Sequence, residues 1–156
     1  VDRSPEMLAK CRDRLAAAGF RRRHQLACAD LERGLTLENA GGALLILTLQ
    51  FLRPLHRERL VEDIHRGLND NGVLILVEKV LGEDSMFNRP FIRFYYDMKR
   101  RNGYSEIEIT QKREALENVL VPYRLLENRE LLMRCGFRYV DVFFKWYNFC
   151  GMVAVK

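Results

Sequence analysis

Two short, uninterrupted apolar runs constrain this chain more than anything else in it: Ala43 to Leu47 and Val73 to Val77. Neither alternates with polar residues, which is the pattern of a strand buried on both faces. Between them, Leu60, Val61, Ile64 and Leu68 recur at helical spacing within a segment from about Leu55 to Leu68. Asn69-Asp70-Asn71-Gly72 then reads as a turn. Strand, helix and strand in this order predict a parallel pair joined by a right-handed crossover. Both runs fall far short of the roughly 20 apolar residues a membrane helix needs.

The same grammar extends in both directions. Val1-Asp2 reads as the end of a strand. Ser4-Pro5-Glu6 opens a helix, with Ser4 as N-cap and Pro5 at the first helical position. Leu8, Cys11, Leu15 and Ala18 continue it, and Gly19 ends it. His24 to Ala29 suits a short strand closing at Asp30. Downstream of Glu78 the rhythm breaks into an aromatic-rich helical insertion at about 83–120, carrying Phe87, Phe91, Phe94, Tyr95 and Tyr96. Ser105 to Glu108 matches a capping box, opening a helix through about Glu117. A helix around Leu126 to Cys135 ends at Gly136, and Arg138 to Lys145 with Tyr147 to Val155 form a terminal strand pair. The whole reads as one α/β domain over 1–156, a doubly wound, mostly parallel sheet with a C-terminal antiparallel hairpin.

Composition excludes several classes. With 48% apolar and 30% charged residues the chain suits a soluble globular domain. The net charge of +5 is dispersed, and no basic stripe interleaved with aromatics marks a nucleic-acid module. Cys11, Cys28, Cys135 and Cys150 show no metal-ligand spacing, so no metal is expected. All four read as small buried hydrophobes in a reducing, cytoplasmic compartment. The start at Val1 is not a signal peptide. It reads as the middle of a longer protein.

In an open parallel sheet, ligands bind beyond the carboxyl ends of the strands. Asp2 and Asp30 stand at two such ends, separated by a helix. A carboxylate at the first can accept both hydroxyls of a ribose. One at the second can accept from the adenine amine, with the Leu31 amide donating to the ring. Together they point to an adenosine site, although each alone is as often a helix cap. Gly41-Gly42 precedes a strand and is no phosphate- or methionine-binding loop. That glycine-rich loop and the first strand are expected upstream of Val1. Thr48 to Leu52 and Glu78 follow the other strands. Glu78 faces either the cleft or a structural salt bridge.

Asp2-Arg3-Ser4-Pro5, Thr48-Leu49-Gln50-Phe51-Leu52, Asn102-Gly103-Tyr104-Ser105-Glu106, Gln111-Lys112-Arg113, Leu116-Glu117-Asn118-Val119 and Tyr147-Asn148-Phe149 resemble, in order, the carboxy-S-adenosylmethionine synthase family. The resemblance covers essentially the whole chain and implies a class I methyltransferase (Rossmann-like) fold. It implies conversion of S-adenosylmethionine and prephenate to carboxy-S-adenosylmethionine and phenylpyruvate. That product is then used by a second enzyme on a tRNA wobble uridine. It implies a homodimer with no membrane and no direct nucleic-acid contact. By position, Asp2 and Arg3 would meet the ribose and its surroundings, and Asp30 and Leu31 the adenine. Arg113 would meet the added carboxylate, for which a guanidinium fork is suited. The bland alternative for Arg113 is a surface charge beside Glu117 at i+4. Ile46 stands where the family has a cofactor-bonding Asn, and Arg3 where it has Asn.

Two other readings stay open: an ordinary methyltransferase of a small molecule or tRNA, and a domain without cofactor that only associates. A chain lacking the first strand is expected to bind cofactor weakly. Its open sheet edge is expected to make it pair or aggregate.

Overall fold

The computed structural model describes all 156 residues. Its sheet has four strands in the order β1-β2-β4-β3. β1 (Ala40–Ile46) and β2 (Leu68–Lys79) are the two apolar runs, paired in parallel from Gly42↔Val73 to Ile46↔Val77. β3 (Tyr139–Trp146) and β4 (Phe149–Val155) form the C-terminal hairpin, with β4 antiparallel to both β2 and β3. The regular sheet is thus mixed, with one parallel and two antiparallel ladders.

The crossover helix α2 (Pro54–Gly67) and α5 (Leu125–Arg134) pack on one face of this sheet. Leu60, Val61 and Ile64 of α2 and Leu131 and Leu132 of α5 meet Leu45, Leu74, Leu76, Met152 and Ala154 in a single core. Each such side chain, fully buried, contributes roughly 1.5–3 kcal/mol by leaving water. The alternation along β2 follows from this. Leu74, Leu76, Glu78 and Val80 face the core, while Ile75, Val77 and Lys79 face the other side. α3 (Ser85–Arg101) covers the end of that second face, where Tyr95 packs edge-on against Phe149 and both Phe91 and Phe94 against Tyr147. α4 (Glu106–Leu116) follows, opened by the capping box of Ser105 and Glu108.

Several sequence expectations are revised. Asn69 to Gly72, with Asn71 at a φ of 58°, turn within a strand and not ahead of one. They form an irregularity inside β2, between the pairs Ala40↔Leu68 and Gly42↔Val73. β1 is buried on one face only: Leu45 is inside, but Leu44 is 71% exposed, because β1 is an edge strand with no layer over its second face. The strands expected at Val1-Asp2 and at 24–29 shrink to a single parallel bridge, Asp2↔Cys28. That bridge rests on two hydrogen bonds, from the Asp2 amide to Ala27 O and from the Ala29 amide to Asp2 O. The helix α1 (Pro5–Ala17) starts as expected, Ser4 accepting from the Met7 amide, but of its residues only Leu8 is buried.

The cysteines divide accordingly. Cys135 and Cys150 are buried, whereas Cys11 and Cys28 are exposed, because the helix and bridge that carry them lie outside the core. Burial pushes the Cys135 thiol up to about 12. We expect Cys11 and Cys28, both exposed, to react with a thiol reagent in the native state. Cys135 and Cys150 should react only on unfolding. Four equally fast thiols in the native state would contradict this packing.

Candidate functional site at the carboxyl ends of the strands

β1 and β2 are parallel, so both carboxyl ends open on one edge of the sheet. A cavity of about 370 Å³ lies there, lined by Asp2, Arg3, Asp30, Leu31, Ile46, Thr48, Phe51 and Val119 among others. Five of the six residues singled out from sequence therefore converge. The Asp2↔Cys28 bridge is what brings Asp2 alongside the segment leading to Asp30.

Each aspartate also caps its own turn. Asp2 Oδ1 accepts from the Ser4 amide at 2.8 Å. Asp30 Oδ1 accepts from the Glu32 amide at 3.0 Å, opening a short 3-10 turn over Leu31–Arg33. Capping and ligand binding are compatible here. Each carboxylate keeps a second oxygen: Asp2 Oδ2 has no protein partner, and Asp30 Oδ2 has only a loose contact with Arg33, 3.8 Å away. Ile46, 50% exposed, offers this cavity an apolar wall and no hydrogen bond.

Arg113 lies elsewhere. It lines a second cavity of about 500 Å³ with Lys79, Tyr95, Tyr96, Lys99, Lys112, Leu116, Glu117 and Leu120. It lies exposed on α4, as a surface charge would, but makes no ion pair with Glu117. The two cavities adjoin through one segment: Leu116, Glu117 and Leu120 face the second and Val119 the first. A third and larger opening, about 660 Å³, lies at the amino-terminal edge between 33–39 and 63–69, away from the strand carboxyl ends.

Two buried polar residues, neither assigned a ligand, hold these walls. Glu78, near the end of β2, accepts from the amides of Thr48, Leu49 and Gln50 at 3.1, 2.9 and 3.0 Å. It fixes the turn that lines the first cavity and makes no salt bridge. Burial pushes its carboxyl up to about 7, against the three amides and Arg57, which favour the charged form. Arg57, 1% exposed, donates to the carbonyls of Leu52 (3.0 Å), Gln50 (3.3 Å) and Val121 (2.6 Å) and stacks on Tyr123 at 4.2 Å. The Val121 amide in turn donates to Gln50 O at 2.9 Å. Arg57 thus ties the segment shared by the cavities to the turn after β1. Sequence reading missed it because an Arg in an amphipathic helix looks solvated. Its partner Val121 is distant in sequence.

No profile of a known protein family matches the chain. Curated proteins do. A carboxy-S-adenosyl-L-methionine synthase from Methylococcus capsulatus (strain Bath) is 66% identical over 156 residues, all of this chain and 64% of its own length. One from Desulforapulum autotrophicum is 47% identical over 156 residues, again all of this chain and 63% of its own. The chain is homologous to the carboxy-S-adenosyl-L-methionine synthases. It spans about 64% of the length of the first of these synthases. Among solved structures, an O-methyltransferase family 2 protein from Planctomyces limnophilus superposes with TM-score 0.70 at 22% identity, covering 99% of this chain and 41% of that one. The S-adenosylmethionine-dependent methyltransferase SibL gives 0.67 at 16%, covering 100% and 42%. The fold of this chain is therefore that of the class I methyltransferases. No helix is long and apolar enough to cross a membrane.

Proposed function

We propose that the protein acts as a carboxy-S-adenosylmethionine synthase, taking S-adenosylmethionine and prephenate to carboxy-S-adenosylmethionine, phenylpyruvate and water, the ring hydroxyl of prephenate leaving with a proton of the sulfonium methyl. The convergence of Asp2 and Asp30 on one cavity, each with a carboxylate oxygen to spare, carries the reading. Asp2 takes the ribose hydroxyls, with Arg3 beside it. Asp30 accepts from the adenine amine and the Leu31 amide donates to the ring. Ile46 packs against the cofactor where an Asn would bond it. Arg113, unpaired at the neighbouring cavity, takes the carboxylate that distinguishes product from S-adenosylmethionine. The sulfonium supplies an acidified methyl group. The chain's own contribution is to bind, orient and keep carboxylates neutralised.

On this reading the chain is one domain over 1–156 with its helical insertion at about 83–120. The product feeds a second, tRNA-modifying enzyme, and this chain needs no nucleic-acid contact of its own. The protein works in the cytoplasm as a homodimer, with exposed Met86 and Phe87 of α3 as the apolar contact.

The test uses a chimera in which these 156 residues replace the matching region of the Methylococcus relative. By equilibrium binding, Asp2→Asn and Asp30→Asn should each weaken both S-adenosylmethionine and carboxy-S-adenosylmethionine about tenfold or more. Arg113→Met should weaken only the latter. Equal loss of both ligands at Arg113 would contradict the assignment. Ile46 favours a second reading, an ordinary methyltransferase. Methyl transfer without prephenate, undiminished by Arg113→Met, would establish that one instead.

A further inference from the structure

The synthase reaction moves a proton from the sulfonium methyl to the departing ring hydroxyl, and some group must carry it. The two cavities at the strand carboxyl ends are lined by no histidine and no cysteine. Their carboxylates, Asp2, Asp30, Glu32 and Glu117, are weak bases. Among side chains that release their proton in proteins, a neutral lysine amine is the strongest base. Lys79, Lys99 and Lys112 are the lysines present, all in the second cavity.

Strand register singles out Lys79. Ile46, which walls the first cavity, pairs with Val77, so the two side chains share a face of the sheet. Two residues on, Lys79 points to that same face at the carboxyl end of β2. It therefore stands roughly 7 Å along the strand and one strand, about 5 Å, across from Ile46. It is the one residue of the second cavity carried by the sheet; the others belong to α3, α4 and the segment after α4. Its amide donates to Gln50 Oε1 at 2.8 Å, which ties this strand end to the turn along the first cavity.

Its surroundings favour the neutral amine. Lys79 lies 5.1 Å from the centre of the Tyr95 ring, and the Lys99 ammonium lies 4.7 Å from the same ring. Neither lysine joins an ion pair. Burial lowers the Lys79 pKa, and the charge of Lys99 lowers it further. The shared ring offsets only part of this. A desolvated lysine beside a second cation is how an amine becomes a working base near neutral pH.

We propose that Lys79 is a catalytic residue, the amine that carries the proton from the sulfonium methyl to the leaving hydroxyl. This rests on the synthase reading and goes beyond it. Lys79 Nζ takes one proton from the methyl carbon, and the electron pair left there forms the bond to carbon dioxide. Prephenate supplies that carbon dioxide: its ring carbon–carboxylate bond breaks, the pair makes the ring aromatic, and the hydroxyl departs. The Lys79 ammonium returns its proton to that hydroxyl, which leaves as water. Lys79 ends neutral as it began, and no oxidant or reductant is consumed.

Trideuteromethyl S-adenosylmethionine in ordinary water, with no prephenate, tests this in the chimera described above. Mass spectrometry should show deuterium replaced by protium on the methyl group about 100-fold faster than in buffer, or more. Lys79→Ala should remove that exchange while S-adenosylmethionine affinity stays within about twofold. Ethylamine added to Lys79→Ala should restore it in proportion to concentration, which a merely structural role would not allow. Lys79→Arg should stay inactive, because guanidinium keeps its proton. The ligand-free chimera gives a second readout: with carbon-13 lysine, the Lys79 ε-carbon should titrate below the exposed lysines. Exchange no faster than in buffer, exchange that survives Lys79→Ala, or titration of Lys79 among the exposed lysines would each overturn the proposal. Carboxylated product in the presence of prephenate judges the synthase reading separately. Product without Lys79-dependent exchange would keep that reading and remove Lys79 from it.

Discussion

Replacing Arg57 by Met should destabilise the fold by about 3 kcal/mol, the largest effect expected of any surface-neutral charge removal in this chain. Met keeps most of the apolar stem but supplies no donor. The carbonyls of Leu52, Gln50 and Val121 then lose the guanidinium, and only that of Gln50 keeps another partner, the Val121 amide. For a domain of this size the loss corresponds to a fall of roughly 6–12 °C in Tm. Arg57→Lys should recover part of it, since one ammonium cannot span three carbonyls held by a fork. The damage should also be local to function. The segment 116–121 walls both cavities, and Arg57 fastens it to the turn after β1. Urea unfolding measures the first effect, and ligand affinity at either cavity the second. A loss below about 1 kcal/mol, the range of an ordinary surface substitution, would mean the guanidinium is solvated.

Glu78→Gln should give the second large effect, and a pH dependence reveals it. In the folded chain the Glu78 carboxyl is pushed from 4.5 up to about 7. Below pH 4.5 both folded and unfolded chains hold this proton. Between 4.5 and 7 the unfolded chain releases it while the folded chain retains it, so stability from this group falls as pH rises. Above 7 both are ionised and the loss is complete, on the order of 3 kcal/mol. Gln cannot titrate, so the variant should lack this slope. It also places an amide donor against one of three backbone donors, those of Thr48, Leu49 and Gln50, costing about 1–3 kcal/mol. The variant should therefore fall furthest below the parent near pH 5 and approach it near pH 8. Parallel stability curves for the two proteins would show that Glu78 does not titrate in this range.

Local signals were the legible part of the sequence. The two apolar runs, the Ser4-Pro5 and Ser105-Glu108 helix starts, and the terminal hairpin all appear where nearest-neighbour chemistry puts them. The paired aspartates were legible because strand ends in such a sheet share an edge. What escaped was set by tertiary neighbours. Leu44 and Ile46 look as apolar as Leu74 and Leu76, yet only the latter pair lies between layers. Cys11 and Cys28 read as core and lie outside it. Arg57, Lys79 and Lys99 carried no mark of burial in the sequence. Their burial comes from α2, β2 and α3 meeting segments far along the chain, and no local pattern marks them. Arg113 was singled out by its motif. Its separation from the aspartates, in an adjoining cavity, came only from the structure.

The account's central claim is that an adenosine site and a carboxylate site work together here. Mass spectrometry of the chimera described above, incubated with S-adenosylmethionine and prephenate, tests it most directly. The account predicts a product heavier than S-adenosylmethionine by one carboxylate, reduced at sub-saturating S-adenosylmethionine in Asp30→Asn and strongly reduced in Arg113→Met. No such product from the chimera, while the Methylococcus relative makes it under the same conditions, would contradict the claim.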